Sequence, residues 1–553
     1  MSRIKTFLNH LYPYRYTIGL TIILLWGIFL RLYRITEIPI GLYPDIAANG
    51  LDIHDIMQGF ITPCYYRNGG REGLFFWFAT PFVAIFGFKP WPIYLASAVV
   101  GIITLVVMYW FGKTLFNRRI GLLSTFLLAS SFYHILFSRL GYRVITMPIF
   151  IMLTLIFLKR ALTTHKNREW ILAGIFLALG FYTYISYRIF PFVILLVWLY
   201  ARWQKHPLLK ISKPELNKFV LSFGITFLPF LLFAVHYPAM VFGRTMDVSI
   251  MNQAKDAGTN VIVYLFQCGL TTLGMFNYQG DFILQFNIPY QPLLAPLEGI
   301  LFIFGLIILF RRIKKPTHLL ILVLLLNQLV PIWLSKDVPH FLRGLGIIAP
   351  LYIICALPLE WLYVNYRRPR LFKQLIIIIV LICCGYLGYD RFFNIWANLP
   401  DLKREMFVDL VRAAEYMKTV APKKPLYFVC GSFHYAFTFG SIPHSEIKSR
   451  LPFIPDNMID PLIKIFNYDR DPEPNIDHPQ DYFWGGNTIK YLMYNHRPYE
   501  VRAYGEVRPD EPGIYVYSRL GQPEHRKLIL KNYPHAKSIY SDCYIEAFDT
   551  TTE

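Results

Sequence analysis

Charged side chains are scarce in this chain. Asp, Glu, Lys and Arg make up 16% of its 553 residues, where a soluble domain carries about a quarter. That excludes an ordinary soluble globule. The common motifs of nucleotide and metal chemistry are missing as well. There is no GxxxxGK[ST], no HExxH, no GxSxG and no CxxC, so ATP-driven transport and zinc proteolysis have no support. The seven cysteines (Cys64, Cys268, Cys355, Cys383, Cys384, Cys430 and Cys543) have no metal-ligand spacing, and their spacing encodes no disulfide. Neither an internal repeat nor a low-complexity segment occurs.

What the chain has instead is apolar runs. A spanning helix needs about 20 apolar residues. Eleven such segments are expected, at 17–32, 91–112, 120–137, 144–161, 170–187, 189–203, 219–236, 294–310, 317–334, 345–364 and 372–389. The apolar stretch 74–88 is short and holds Pro81, so it reads as a juxtamembrane or re-entrant helix. No small-residue cleavage site follows the first span, which therefore reads as an anchor.

The net charge of +20 invites a nucleic-acid reading, and its distribution removes it. Six short alternate loops (1–16, 113–119, 159–168, 202–218, 311–315 and 365–373) hold 23 Lys and Arg and one acid, Glu215. This is the positive-inside pattern, in phase with the spans. It places those loops and the N-terminus in the cytoplasm of a plasma (inner) membrane protein. The tail 390–553 holds 20 basic and 22 acidic residues, and an odd span count places it outside. The expected architecture is an α-helical polytopic membrane domain, 1–390, and an extracytoplasmic α/β domain, 391–553. Long external loops lie at 33–90 and 237–293. In the tail, 404–420 has helical periodicity, 425–430, 489–495 and 513–518 read as strands, and 524–534 as a helix ended by Pro534.

Asp45, in IGLYPDIAANGLDIHDIMQG, lies just outside the first span. It has two readings: a base that takes a proton from a hydroxyl, or a helix N-cap. Asp52 and Asp55 share a face of the helix that follows, and His54 does not. Asp45, Asp52 and His54 are candidate metal ligands, against the plainer reading of a solvated face. Arg71, Arg139, Arg143, Arg188 and Arg343 sit at external span ends, where the charge bias depletes arginine. Arginine pairs bidentately with phosphate, so the set reads as an anion site, against the blander alternative of lipid headgroups. His340 and Arg343 are three apart and face one way, unless they snorkel to the interface. Tyr182, Tyr184 and Tyr187 form either an interfacial belt or a sugar-stacking wall.

Several segments carry a resemblance: LYPDIAANGLDIHDIMQG, FNRRIGLLSTFLLASSFYHILFSRLGYRVITMPIFIML, LGFYTYISYRIFPF, GDFILQFNIPYQPLLAPLEGILFIFGL and VPHFLRGLGIIAP. In that order they resemble the GT-C membrane glycosyltransferases of the protein O-mannosyltransferase and aminoarabinose-transferase type, glycosyltransferase family 39, in particular bacterial relatives. The resemblance covers residues 15–390. It implies that Asp45 is the catalytic carboxylate and that Arg139, Arg188 and Arg343 match family arginines. Ile46 departs from it, since the family commonly has Glu there. The resemblance implies inverting transfer of a sugar from a polyprenyl-phosphate donor to a lipid, glycan or protein hydroxyl. Asp45 would act as base, and Arg71, Arg139, Arg143, Arg188, Arg343 and His340 would face the phosphate. Tyr184, Tyr187 and Asp281 would face sugar or acceptor, with Asp247 nearby. No cofactor is required, although a divalent metal fits the chemistry. The alternatives are a lipid-linked sugar flippase or a glycan polymerase or ligase. A flippase needs charge through mid-span, and only the acceptor separates a polymerase or ligase.

Overall fold

In the computed structural model, residues 12–204, 211–247, 259–335, 337–366, 369–420, 424–430, 486–494, 496, 499–503, 507, 511–519 and 524–551 are described. Most of the chain is helical, and proline marks where helices begin. Pro44, Pro90, Pro191, Pro296 and Pro316 each occupy the first helical position, where a missing N–H costs nothing and a fixed φ fits the helix.

Among the described residues, eight helices are long and apolar enough to cross a membrane. A ninth crossing arises if the bent pair Arg118–Ser130 and Phe132–Leu140 counts as one span. The two halves of that pair meet at 62°. Ser131 makes the break: its backbone is extended and its hydroxyl caps the second half by accepting from His134 N. Two of the eleven expected spans fall outside this set because their α-helices are short. The segment 170–187 ends its α-helix at Leu179 and tightens into 3-10 turns at Gly180–Tyr182 and Ile185–Ile189. The segment 294–310 is the 16-residue helix Pro296–Arg311. At 1.5 Å per residue, neither helix alone reaches the roughly 30 Å of a hydrocarbon core. The stretch 74–88 is the short apolar helix Leu74–Phe86 with Pro81 inside. The loop 237–293 contains a short apolar helix, Val261–Gly274, that the sequence reading passed over.

Burial separates the inner helices from those facing lipid. Of the most apolar stretch of Phe341–Asn365, 78% is buried, against 11% for Lys213–His236. The former is central. The latter turns Leu221, Ile225, Leu228 and Leu232 outward, as a helix in lipid does without penalty.

The tail is the expected α/β unit, with a mixed five-stranded sheet. Its strands are β3 (Leu426–Cys430), β4 (Glu500–Ala503), β5 (Ile514–Ser518), β6 (Lys537–Ser541) and β7 (Ile545–Asp549), ordered β4-β3-β5-β7-β6. β3 runs parallel to β4 and β5, and β7 is antiparallel to β5 and β6. The strand expected at 489–495 is instead the end of a helix, Gly486–Leu492. Ile489 and Tyr491 mimic strand alternation, but Thr488, Tyr491 and Leu492 are buried together at helical spacing. The expected helix 404–420 breaks at Phe407, which is left-handed, into Leu402–Glu405 and Val408–Thr419.

The tail packs directly on the loop 33–90. Leu42 N donates to Met406 O at 2.8 Å. The Thr488 hydroxyl donates to Leu42 O, and His54 lies on Tyr494 with ring centroids 3.8 Å apart. Met406, Leu410, Ile489 and Tyr491 belong to the same apolar core as the membrane helices. The cysteines other than Cys430 are unpaired, and the side chain of Cys430 lies outside the described residues.

Candidate active site

The site is built on the helix Pro44–Met57. Tyr43, not Asp45, is its N-cap, and no side chain caps it. Asp45 occupies the first turn, where the exposed N–H groups favour negative charge. Its carboxylate Oδ1 accepts from Asn68 Nδ2 at 2.7 Å. Positions 45, 49 and 52 then form one stripe at i, i+4 and i+7, with Asp55 continuing it. On the opposite side Ile46, Leu51 and Ile53 are buried in the apolar core.

A loop lies across the polar stripe between the short strands β1 (Cys64–Tyr65) and β2 (Arg71–Glu72). It turns through Asn68, Gly69 and Gly70, all at positive φ. Gly70 is required there, because a Cβ would sit 1.8 Å from Met240 O. The two arginines flanking the turn take opposite oxygens of one carboxylate. Arg67 Nη1 donates to Asp52 Oδ1 at 2.6 Å and to Asp55 Oδ2 at 2.5 Å. Arg71 Nη2 donates to Asp52 Oδ2 and to Ala48 O, and Arg71 Nη1 donates to Asn49 Oδ1 at 2.7 Å and to Asp45 O. Burial raises the Asp52 carboxyl, and Arg71 and Arg67 oppose that rise. Burial brings Arg71 down to about 10, opposed by Asp52, so it stays charged near neutrality.

Beside Arg71, Glu72 joins two more arginines. Its carboxylate accepts from Arg143 Nε and from Arg188 Nη2, each at 3.0 Å. Burial raises the Glu72 carboxyl, but Arg143 and Arg188 together outweigh it and leave it below its ordinary value. Arg188 Nη1 also donates to Val241 O. The Arg143 guanidinium stacks on Tyr184, 4.9 Å from the ring centroid. Its Nη2 is buried with no hydrogen-bond partner among the described residues.

These groups meet at one cavity of about 300 Å³, open mouth included. Asp45, Asn68, Arg71, Tyr142, Arg143 and Tyr184 line it, with Asn49, Val144 and Leu342. An acid, an arginine with one unpartnered nitrogen and an aromatic residue thus border a small space.

Of the residues singled out from sequence, Asp45, Arg71, Arg143 and Tyr184 come together here. Others are engaged elsewhere. Arg139 does not line the cavity. It donates to Leu30 O and Tyr33 O at the C-terminal end of the first span and to Ile38 O in the loop beyond, at 2.7–3.0 Å, and it stacks on Phe392 and Phe393. Tyr187 is not part of a sugar wall. It is fully buried against Gly180, and its hydroxyl donates to Leu177 O. Asp281 ties two loops, with Oδ1 accepting from Ile283 N and Oδ2 from Phe341 N. Burial raises it to about 7. His340 stacks on Phe286 with centroids 5.3 Å apart. Arg343 is half-buried next to the lining residue Leu342, and its carbonyl accepts from Ser186 Oγ. The side chain of Asp247 lies outside the described residues.

The three candidate metal ligands diverge. Asp45 turns to Asn68, Asp52 to two arginines and His54 to Tyr494. Among the described residues no group of three His, Cys, Asp or Glu side chains converges on one point. Nor is the stripe below Asp45 a solvated face, since Asp52 is fully buried. The sequence reading missed Asn68, Asn49, Glu72 and Tyr142. The usable signal was RNGGRE (67–72): two arginines four apart around an Asn-Gly turn, with an acid next to the second.

The fold and the cavity define the class: a polytopic membrane protein with the GT-C fold of membrane glycosyltransferases. The model of the dolichyl-phosphate-mannose-protein mannosyltransferase family matches residues 73–233. That range spans Arg143, Tyr184 and Arg188 and begins after Asp45. The chain is similar to the oligosaccharyltransferase AglB from Archaeoglobus fulgidus in complex with an inhibitory peptide and a dolichol-phosphate. The TM-score is 0.54 at 12% identity, covering 94% of this chain and 71% of that one. It is also similar to ArnT from Cupriavidus metallidurans bound to undecaprenyl phosphate, with a TM-score of 0.53 at 11% identity over 98% of both chains. No curated protein matches it by sequence.

Proposed function

We propose that the chain transfers a sugar from a polyprenyl-phosphate donor to an acceptor hydroxyl at the extracytoplasmic membrane face, with inversion. One observation carries the reading: Asp45 and Arg143 line the same cavity, and Arg143 Nη2 has no hydrogen-bond partner among the described residues. The two fold neighbours bound to dolichol-phosphate and undecaprenyl phosphate support a donor of this kind. The six basic loops support a cytoplasmic N-terminus and an external cavity.

In this mechanism the acceptor oxygen attacks the anomeric carbon from the face opposite the phosphate. Asp45 Oδ2 takes its proton as the new bond forms. The bond from the anomeric carbon to the phosphate oxygen breaks, and the polyprenyl phosphate leaves with that electron pair. Arg143 Nη2 donates to the phosphate oxygen as its charge grows, and Arg343 adds positive charge nearby. Tyr184 sits under Arg143 and offers a ring face to the sugar. Phosphate is a good leaving group, so every step rests on the chain's own residues. The long lipid explains the membrane fold, because its anomeric carbon is confined to the interface.

The test replaces Asp45 by Asn and measures sugar release from undecaprenyl-phosphate-linked sugars. Loss of at least about a hundredfold is expected, the range for removing a general base. Full retained rate would exclude Asp45 as base.

A further inference from the structure

We propose that Asn68 is the positioning residue of Asp45: its amide holds one carboxylate oxygen so that the other faces the acceptor. This rests on the reading of Asp45 as base and adds a residue to it.

Asp45 has little other support. The next residue, Ile46, is fully buried among apolar side chains and offers no polar group. Tyr43, the N-cap, makes no side-chain capping bond. Among the described residues, Asn68 Nδ2 is the one hydrogen-bond donor to the Asp45 carboxylate, at 2.7 Å on Oδ1. Asn68 itself lines the cavity. A donor on Oδ1 fixes the plane of the carboxylate and leaves Oδ2 open to a hydroxyl. A base oriented by a third group is the general logic of an activated nucleophile.

The backbone sharpens the point. Asn68 sits at φ 54 and ψ 39, in the left-handed region where a side chain carries a cost and glycine carries none. Gly69 and Gly70 follow at φ 74 and 97. On backbone grounds alone, position 68 would favour glycine too. What asparagine adds there is its amide, and the amide is on Asp45.

The loop is also built to hold that amide still. Arg67 and Arg71 bracket the turn and take opposite oxygens of Asp52, two turns along the same helix from Asp45. The segment that delivers Asn68 and the helix that carries Asp45 are therefore locked to each other through one buried carboxylate. Arg71 adds a bond to the Asp45 carbonyl.

Three variants of the full-length chain in detergent test this: Asn68→Gly, Asn68→Asp, and Asn68→Gly combined with Asp45→Asn. The readouts are kcat and donor KM for sugar release from the undecaprenyl-phosphate sugar turned over fastest, affinity for undecaprenyl phosphate, and thermal midpoint. Asn68→Gly keeps the left-handed turn and removes only the amide. It is expected to lower kcat about tenfold, as the loss of one hydrogen bond to a charged group does. Donor KM and undecaprenyl phosphate affinity should stay within about twofold, since Asn68 acts through Asp45 and not on the phosphate. Asn68→Asp has the same shape but sets a second carboxylate against the first, and it should lower kcat further. On the Asp45→Asn background, Asn68→Gly should leave the residual rate unchanged.

A purely structural role predicts the opposite order, with Asn68→Gly at full rate because glycine suits the turn. That result overturns the proposal. An equal loss on the Asp45→Asn background also overturns it, because Asn68 would then act independently of Asp45. If Asp45→Asn alone keeps full rate, the base assignment has failed. If Asp45→Asn is inactive and Asn68→Gly is fully active, only the positioning role has failed.

Discussion

Asp52→Asn is the sharpest probe of how the site is held. Asp52 is fully buried and faces two arginines. Arg67 keeps Asp55 at 2.5 Å and is partly exposed, so its loss is small. Arg71 is the decisive term. It is 1% exposed, and without Asp52 its charge keeps only neutral partners: Ala48 O, Asp45 O and Asn49 Oδ1. Breaking a buried ion pair from one side costs about 3–5 kcal/mol. The three remaining acceptors and the retained oxygen of Asn place this case near about 3 kcal/mol. The comparison variant is Asp52→Asn with Arg71→Met, which removes both charges and keeps an apolar chain in place. Replacing a buried pair by apolar groups is neutral or stabilising, so the double variant should recover most of the loss. Thermal unfolding of the purified chain reads both. Asp52→Asn should fall by at least about 3 °C, and the double variant should lie closer to the unaltered chain. The reasoning fails if Asp52→Asn melts with the unaltered chain, or if the double variant is less stable than the single.

Glu72 gives a pH signature. Its carboxyl is held below its ordinary value of 4.5, so its ion pairs contribute fully above that pH and are lost as pH falls through the lower folded-state value. Glu72→Gln should therefore be less stable than the unaltered chain at neutral pH, by about 3 kcal/mol, and the gap should close in acid. A gap that stays constant down to about pH 3 would show that the Glu72 carboxylate is not what holds Arg143 and Arg188. The tail's contact with the Asp45 helix is tested at Gly50, where a Cβ would lie 2.3 Å from Tyr491 Cε2. Tyr491 is pinned by its bond to Lys89 O, so Gly50→Ala should cost about 1–3 kcal/mol by overpacking. Adding Tyr491→Leu should relieve part of that cost in the same melt, and no relief would argue against the contact.

Much of the architecture was legible because membranes impose long periods on sequence. Apolar length located the segments that, among the described residues, are long and apolar enough to cross a membrane, and the short helix 74–86 was separable by its length and Pro81. The failures share a physical cause. The span at 170–187 was overextended because hydropathy does not register a helix that tightens at Gly180. The strand at 489–495 was misread because Ile489 and Tyr491 fit both periods over so short a run. At the site, the stripe 45–49–52 lay on one helix and its spacing was readable. Its partners came from a loop, where spacing predicts no contact. Asp52 therefore looked solvated, although Arg67 and Arg71 bury it. The arginines were found by their position at the ends of apolar segments, but charge position alone did not tell which had partners already.

That last distinction orders the candidates. Around the cavity, Arg67, Arg71, Arg143 and Arg188 face Asp52, Asp55 and Glu72, with Asp45 as a fourth acid. The positive charge that marks an anion site in sequence is thus almost all used in holding the protein together. Arg139 is the extreme case, with both terminal nitrogens spent on the carbonyls of Leu30, Tyr33 and Ile38. Arg71, Arg139 and Arg188 have both terminal nitrogens engaged, whereas an arginine held at Nε with an unpartnered Nη2 is oriented and keeps hydrogen-bonding capacity at its end. Arg143 meets that description through Glu72 and Tyr184. The same rule applied to acids selects Asp45: Asp52 and Glu72 have both oxygens committed, and Asp45 has one. On the proposed reading, unspent hydrogen-bonding capacity at a fixed orientation, rather than charge, is what sets Asp45 and Arg143 apart from the framework around them.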